Sequence, residues 1–209
     1  MKNGLFDLDG TLVDSLPGIK SSTRIAIAQV LPEVGMPDLR AMIGPPIATM
    51  FARAWPDLEP EKLACLLAAF RSHYFEEGCL ESRPFPGVPE TLLRVHAAGV
   101  RLFVLTNKPA APAQKILDTL GLAQFFTTVM APDSVKPPLR LKPEGALLLM
   151  EKFGLKPGET TLVGDGADDA ASADACGFRF IAAAYGYGTA AASAKLRIEK
   201  FSEIERLLL

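Results

Sequence analysis

The stretch LFDLDGTL, residues 5–12, determines the architecture that we expect for this chain. Residues 4–8 form a short apolar run that ends in acidic side chains, and this pattern predicts a buried strand. Side chains two positions apart in a strand share a face, so Asp7 and Asp9 should project together while Gly10 turns the chain away. Two carboxylates at such a position attract a hard cation such as Mg²⁺. The alternative at this point is a strand followed by a plain Asp-rich turn.

The second half of the chain alternates short apolar runs with longer helical patterns. This alternation predicts βαβ units, and therefore an α/β fold with a Rossmann-like, mainly parallel sheet. We assign residues 1–14 and 84–209 to this core. Ligands of such sheets bind beyond the carboxyl ends of the strands. The predicted strands are residues 100–105, 125–130, 160–163 and 178–182, and the predicted helices are residues 89–98, 110–120, 144–153 and 169–176.

Residues 15–83 have a different pattern, in which only helices are recognisable. Because this block interrupts the α/β pattern after its first strand, we predict an inserted all-helical cap domain over the carboxyl edge of the sheet. The segment RPFPG at residues 83–87 marks the return to the core. The predicted cap helices are residues 17–31, 37–43, 47–55 and 60–77.

Composition limits the classes of partner. The 209 residues are 49% hydrophobic and carry a formal net charge of −2 without a basic stripe, which argues against nucleic-acid binding. Apolar runs fall short of the roughly 20 residues that span a bilayer, and Asp7 interrupts the N-terminal run, unlike a secretory signal. Cys65, Cys79 and Cys176 form neither a CxxC pair nor a disulfide framework. We therefore expect a cytoplasmic protein with no membrane partner.

Three further polar segments adjoin predicted elements of the core. Thr106 and Asn107 end the strand at 100–105, and the sequence VGDGADD at 163–169 ends the strand at 160–163. Lys142 directly precedes a predicted helix, with Lys136 as a competing candidate six residues earlier. Each segment alone has an ordinary explanation, namely a strand end, a solvated lysine or an acidic turn that caps a helix.

In this order, the motifs resemble those of the haloacid dehalogenase superfamily of phosphohydrolases. The first motif of that family is DxDGT(L/V) after an apolar strand, in which the first Asp is the nucleophile and the second is the acid/base. The resemblance assigns these roles to Asp7 and Asp9 and phosphate-oxygen binding to Thr106 and Asn107. It also assigns catalytic charge neutralisation and phosphate binding to Lys142, which lies at the family's spacing from the fourth motif.

The fourth motif of the family, GDxxxD, is similar to residues 164–169. The resemblance implies a Mg²⁺ ion held by Asp7, by the backbone carbonyl of Asp9 and by Asp165. It further implies that Asp169 supports the water shell of the metal or Lys142. Asp168 occupies a variable position of the motif, and its role is left open.

The block at 15–83 resembles the helical C1-type cap of the family. Gly44, Pro45 and Pro46 are similar to the substrate-specificity loop of that cap, although a plain interhelix turn explains them equally well. Arginines of the cap have two interpretations, contact with a second anionic group of the substrate or a solvated surface, and the second is favoured. These arginines are Arg24, Arg40 and Arg53.

The closest resemblance is to phosphoglycolate phosphatase-like members. It implies a Mg²⁺-dependent phosphatase, monomeric or homodimeric, that hydrolyses a small phosphorylated metabolite through an aspartyl-phosphate. A β-phosphoglucomutase-like phosphomutase is the main alternative, since it shares the motifs and the cap type. A metal-independent haloacid dehalogenase is disfavoured by Asp9 and Asp165, and a non-catalytic binding protein by the complete set of motif residues.

Overall fold

A six-stranded parallel sheet forms the core of the computed structural model, which describes residues 2–209. The strands lie in the order β5–β4–β1–β6–β7–β8, so that the first strand lies inside the sheet with a neighbour on each side. The predicted α/β core with a mainly parallel sheet is thus confirmed. The strands are β1 Asn3–Phe6, β4 Arg101–Leu105, β5 Phe126–Met130, β6 Thr160–Gly164, β7 Arg179–Ala183 and β8 Arg197–Ile198, and a separate pair consists of β2 Val13–Asp14 and β3 Arg83–Pro84.

Helices cover both faces of the sheet and fill the segment between β2 and β3. In the core, helices alternate with strands along the chain, as the sequence pattern predicts. The helices are α1 Leu16–Val30, α2 Ile47–Ala54, α3 Pro60–Glu76, α4 Val88–Ala97, α5 Ala110–Thr119, α6 Lys142–Phe153, α7 Ala167–Cys176 and α8 Glu205–Leu208.

Alternating side chains of β1 divide the core into two layers. Leu5 belongs to the buried cluster that contains Leu149 of α6 and Ala173 of α7. Phe6 belongs to the opposite cluster, which includes side chains of α4 and α5 and extends to the helices between β2 and β3. Because successive residues of a strand point to opposite faces, a strand that is buried on both sides is mainly apolar. Asn3 is the polar residue of β1, and its side-chain amide donates a hydrogen bond to Thr160 Oγ1 at 3.2 Å. All four residues of β1 are accordingly buried.

The segment between β2 and β3, residues 15–82, is termed the helical insert below. Its two connections to the core pair with each other as antiparallel strands, with Val13 opposite Pro84. Within the insert, α1 packs against α3 and the turn that follows it. A Cβ atom at Gly18 would lie 1.8 Å from the carbonyl oxygen of Gly78. The close approach of these two segments therefore requires glycine at position 18.

Two expected elements differ in the structure. The first strand ends at Phe6 instead of residue 8, because the carbonyl oxygen of Leu8 accepts hydrogen bonds from the backbone of Leu12 and Val13 in a turn. The helix expected at 37–43 is a single 3-10 turn at Arg40–Met42. Among residues 2–209, no helix combines the length and the apolar character needed to cross a membrane.

Replacing Gly18 by Ala should destabilise the protein by about 1–3 kcal/mol, because the new methyl group has to displace backbone of the turn at Gly78. Urea denaturation monitored by circular dichroism measures this change. Gly158→Ala is the matched control, since a Cβ there meets nothing within 4 Å. Equal unfolding midpoints for the two variants would contradict this account of the packing.

Candidate active site

The carboxyl ends of three neighbouring strands bring polar side chains to one edge of the sheet. Asp7 follows β1, Thr106 follows β4 and Asp165 follows β6, and all three are buried. Lys142 opens α6 and reaches the same edge, with 7% of its surface exposed. Parallel strands end at a common edge, so residues more than 150 positions apart in sequence become neighbours.

Three carboxylates form a compact cluster at this edge. Asp7, Asp165 and Asp169 each offer one oxygen, and these oxygens all lie within 4.8 Å of one another. Lys142 Nζ contacts Asp7 Oδ1 and lies 2.6 Å from Asp169 Oδ1. One ammonium group therefore faces three carboxylates and leaves their negative charge only partly compensated.

Burial and mutual repulsion change the protonation of the cluster. Burial raises the pKa of Asp7 well above its ordinary value, and the charges of Asp169 and Asp165 add to this effect while Lys142 opposes it. Burial and Asp169 raise the pKa of Asp165 to about 6, against hydrogen bonds from two backbone amides. Although burial of its ammonium acts in the opposite direction, Asp169 and Asp7 raise the pKa of Lys142. The lysine is therefore charged at neutral pH.

A loop after β7 fixes the carboxylate of Asp165. The backbone N–H groups of Tyr187 and Gly188 donate to Asp165 Oδ2 at 2.7 and 2.8 Å. A Cβ atom at Gly186 would lie 2.4 Å from the carbonyl oxygen of Gly10 and 2.5 Å from Asp165 Cβ, so only glycine fits there. The hydroxyl of Tyr187 contacts Asp14 Oδ1, so the same loop also holds the connection to the helical insert.

The first turn of α7 orients Asp169. Its Oδ2 accepts a hydrogen bond from the backbone N–H of Gly166 at 2.9 Å, and its Oδ1 faces Lys142. A carboxylate in the first turn of a helix is also stabilised by the helix dipole. Asp168, the neighbouring acid, instead accepts a hydrogen bond from Asn107 Nδ2 at 3.1 Å and lies outside the cluster.

Asp9 has a different lysine as its partner. Lys108 Nζ lies 2.6 Å from Asp9 Oδ1 and donates at 2.6 Å to the hydroxyl of Tyr74, a residue of α3 in the helical insert. Burial acts to lower the pKa of Lys108, but Asp9 and Tyr74 together raise it. Asp7 and Asp9 therefore line one cavity but contact separate ammonium groups, because the chain turns directly after β1.

Thr106 and Asn107 connect the end of β4 to its surroundings. The hydroxyl of Thr106 accepts a hydrogen bond from the backbone N–H of Lys108 at 3.1 Å. Asn107 Nδ2 also donates to the carbonyl oxygen of Gly44 at 3.0 Å, and this bond joins the core to the loop of the helical insert. The side chain of Asn107 thus has hydrogen-bond partners in the core, at Asp168, and in the helical insert, at Gly44.

A cavity of about 340 Å³ opens between the helical insert and the core. Apolar side chains of both the insert and the core form most of its walls, and Asp7, Asp9 and Lys142 border it from the core. The remaining predicted site residues on its lining are Thr106, Asn107, Gly44, Pro45 and Pro46. Pockets of a few hundred Å³ with a small number of convergent polar groups are typical of small-molecule sites.

Some positively charged candidates lie outside this cavity. Lys136 is exposed, whereas Lys142 contacts the carboxylate cluster. Arg24, Arg40 and Arg53 are exposed and do not line the cavity, and Arg40 lies over the ring of Tyr187, 5.3 Å from its centroid. The arginines on the cavity wall are Arg71 and Arg140, which sequence patterns did not indicate.

Lys108, Tyr74 and Tyr187 are also contributors that the sequence did not indicate. The signal for Lys108 was its place three residues after the end of β4, at the carboxyl edge of the sheet. Tyr74 and Tyr187 depend on packing between distant segments, and no local pattern predicts such contacts.

The donor set of the cluster fits a divalent metal ion. Carboxylate oxygens are hard ligands, and Mg²⁺ is held in proteins by one or two carboxylates together with substrate oxygens and water. Asp7 and Asp165 belong to the cluster and follow two neighbouring strands. A dication bound between them would compensate the negative charge that Lys142 does not neutralise. The backbone carbonyl of Asp9 stays a predicted ligand.

Comparison with known proteins gives a consistent set of relatives. The family model described as haloacid dehalogenase-like hydrolase matches residues 5–183. The phosphoglycolate phosphatase of Rhodospirillum rubrum is 32% identical over 194 residues, which cover 88% of this chain and 79% of that protein. The N-acetylmuramic acid 6-phosphate phosphatase of Pseudomonas aeruginosa is 33% identical over 197 residues, with 90% and 83% covered.

A solved structure shares the fold over its full length. The crystal structure of a predicted phosphoglycolate phosphatase from Haemophilus somnus superposes with a TM-score of 0.89 at 28% identity. The similarity covers 100% of this chain and 98% of that chain.

Mg²⁺ should raise the melting temperature more at pH 7.5 than at pH 5. In the folded protein Asp165 keeps its proton up to about pH 6, whereas an unfolded Asp loses it near pH 4. The folded state therefore binds more protons between these values, and the metal-free protein loses stability as the pH rises through them. A cation relieves the repulsion only where the carboxylates are ionised.

Thermal unfolding with Mg²⁺ or with EDTA at both pH values measures the effect. Asp165→Asn should abolish most of the Mg²⁺-dependent shift, whereas Asp174→Asn, at an exposed position of α7, should retain it. An equal Mg²⁺-dependent shift at pH 5 and pH 7.5 in the unsubstituted protein is the outcome that argues against a carboxylate cation site.

Proposed function

Because the chain belongs to the haloacid dehalogenase-like hydrolase family, we propose that it hydrolyses a small phosphomonoester through an aspartyl-phosphate on Asp7. Similarity to curated phosphatases over most of its length identifies the general activity as that of a phosphatase. The observation that supports the specific mechanism best is the position of Asp7, at the border of the cavity and in the carboxylate cluster beside Lys142.

The proposed reaction has two steps. A carboxylate oxygen of Asp7 forms a bond to phosphorus while the bond from phosphorus to the ester oxygen breaks, and Asp9 gives its proton to the departing alkoxide. Water then attacks phosphorus, Asp9 takes a proton from that water, and the acyl-phosphate bond to Asp7 breaks. The products are the alcohol and inorganic phosphate, and both carboxyl groups return to their starting protonation.

Fixed positive charge and hydrogen-bond donors would stabilise the transferring group. Lys142 is buried against Asp7 and is therefore held in place before substrate binds. Preorganised charges of this kind stabilise developing negative charge without reorganisation during the reaction. Thr106, which lines the same cavity, would bind a phosphoryl oxygen through its hydroxyl.

Asp7 and Asp165 are the proposed protein ligands of Mg²⁺, with the backbone carbonyl of Asp9 as a third and Asp169 supporting the ion's water shell or Lys142. When bound, Mg²⁺ would offset the repulsion between an anionic nucleophile and a dianionic phosphate. Proton transfer by Asp9 and formation of the bond from Asp7 to phosphorus are functions of the protein side chains in this proposal.

The proposed substrate resembles 2-phosphoglycolate in carrying a second anionic group, a carboxylate, besides the phosphate. Of the cations on the cavity wall, Lys108 and Lys142 already have carboxylate partners. Arg71 and Arg140 form no ion pair within residues 2–209. They are therefore available to a carboxylate on the leaving group. The relatives named phosphoglycolate phosphatase support the same substrate class.

Asp7→Asn should lower kcat by roughly a thousandfold or more, because an amide cannot form the acyl-phosphate. Phosphate release from 2-phosphoglycolate with Mg²⁺ measures the loss, and circular dichroism checks the fold. Asp57→Asn, at an exposed position of the helical insert, is the control and should leave kcat unchanged. Substantial turnover by Asp7→Asn would refute the nucleophile assignment. In a separate assay with a sugar phosphate as substrate, formation of its isomer in place of free phosphate would instead favour the mutase.

Arg71→Gln should raise the KM for 2-phosphoglycolate about tenfold, as expected for the loss of one charge-assisted hydrogen bond. The KM for ethyl phosphate, which lacks the carboxylate, should stay within about twofold if Arg71 binds only that carboxylate. Steady-state kinetics on both substrates make the comparison. Arg53→Gln is the matched control, since this arginine lies on α2 away from the cavity. Equal changes in KM for the two substrates would count against a role in binding the leaving group.

A further inference from the structure

Lys108 is the buried group in the site for which the phosphatase mechanism above has no role. It is 8% exposed, and its ammonium group bridges Asp9 of the core and Tyr74 of the helical insert. We propose that Lys108 and Tyr74 are positioning residues that hold the Asp9 carboxylate when α3 is seated on the core. This inference rests on the proposed function, because it assumes that Asp9 is the acid/base.

The backbone of Lys108 is fixed at the end of β4. Its N–H group donates to the hydroxyl of Thr106, and α5 begins two residues later at Ala110. The backbone of Lys108 is therefore fixed to the core, and only its side chain can change the position of the ammonium group. A buried ammonium group requires partners with good geometry, because an unpaired one has a large desolvation cost. Asp9 and Tyr74 are those partners here.

Packing within the helical insert fixes the side chain of Tyr74. Its ring stacks on Phe70, one turn earlier in α3, with centroids 5.1 Å apart and an angle of 12° between the planes. Phe70 in turn packs edge-on against Phe51 of α2. Because these rings are buried and packed, the ring of Tyr74 is held in place relative to α2 and α3.

Loss of the Tyr74 contact would leave Lys108 with one partner fewer in a buried site. The ammonium group and Asp9 would then both be free to adopt other positions. With α3 seated, by contrast, the ammonium group is held from two sides, and Asp9 is held beside the cavity. The arrangement thus makes the geometry of the acid/base depend on the seating of the insert.

A second lysine provides the comparison that separates positioning from simple attachment. Lys115 of α5 donates to the carbonyl oxygens of Phe75 and Glu76, at the end of α3, at 3.1 and 2.7 Å. It joins the same two parts of the chain without touching Asp9. Lys115→Met removes an attachment only, whereas Tyr74→Phe and Lys108→Met remove groups that act on Asp9.

The test compares two substrates that need proton donation to different degrees. Ethyl phosphate releases a strongly basic alkoxide and requires an acid, whereas p-nitrophenyl phosphate releases a stable phenolate and depends on the acid far less. We measure kcat and KM for both substrates with Mg²⁺ in five proteins, namely the unsubstituted chain, Asp9→Asn, Lys108→Met, Tyr74→Phe and Lys115→Met. Tyr74→Phe keeps the ring stack on Phe70, and circular dichroism verifies the fold of each variant.

The expected pattern depends on the leaving group. Asp9→Asn should lose at least about a hundredfold in kcat on ethyl phosphate and far less on p-nitrophenyl phosphate. Lys108→Met and Tyr74→Phe should show a smaller difference of the same kind, because each disturbs the position of that acid only in part. Their kcat should fall about tenfold on ethyl phosphate and less than about threefold on p-nitrophenyl phosphate. Lys115→Met should change kcat by the same factor for both substrates.

Two results would overturn the inference, and they are distinguishable. If Asp9→Asn shows the bias but Lys108→Met and Tyr74→Phe affect both substrates equally, the link is an attachment and the proposed function stands. If Asp9→Asn itself shows no bias, Asp9 is not the acid, and both the proposed mechanism and the inference fail.

Discussion

A single buried ammonium group among three buried carboxylates is the constraint on which the rest of the site depends. Lys142 contacts Asp7 and Asp169, and Asp165 completes the cluster without an ion pair to a lysine among residues 2–209. Ions in a protein interior are stable only when they are paired and hydrogen-bonded. The remaining negative charge therefore favours either a proton, as the raised pKa values of Asp7 and Asp165 indicate, or a divalent cation.

The fold assembles this cluster from segments that are far apart in sequence. Parallel strands place Asp7 and Asp165 at one edge, and the start of α7 adds Asp169. The loop at 185–188 then closes on Asp165 and on the connection to the helical insert, so the carboxylate is fixed by backbone amides. The cavity lies where the insert meets this edge, and Lys108 joins the two parts beside it.

The positions of the motif residues at one edge of the sheet were predictable because strand ends are encoded locally. Asp7 and Asp165 each follow an apolar run that forms a strand, and a strand end is readable from a few neighbouring residues. Contacts such as those of Tyr74 and Tyr187 arise from tertiary packing, which no local pattern encodes. The segment at 37–43 was wrongly predicted as a helix for a different reason, because Gly44 and two prolines follow it directly and only a 3-10 turn forms at Arg40–Met42.

Locating the cation in a crystal tests the central claim most directly. Crystals of the protein grown with Mn²⁺ in place of Mg²⁺ reveal the ion by its anomalous scattering. One strong peak bound by carboxylate oxygens of Asp7 and Asp165 is the predicted result. A map with no peak there, or with its only peak at an acidic group outside the cluster such as Asp174, would contradict the proposal that uncompensated charge at this strand edge holds the catalytic metal.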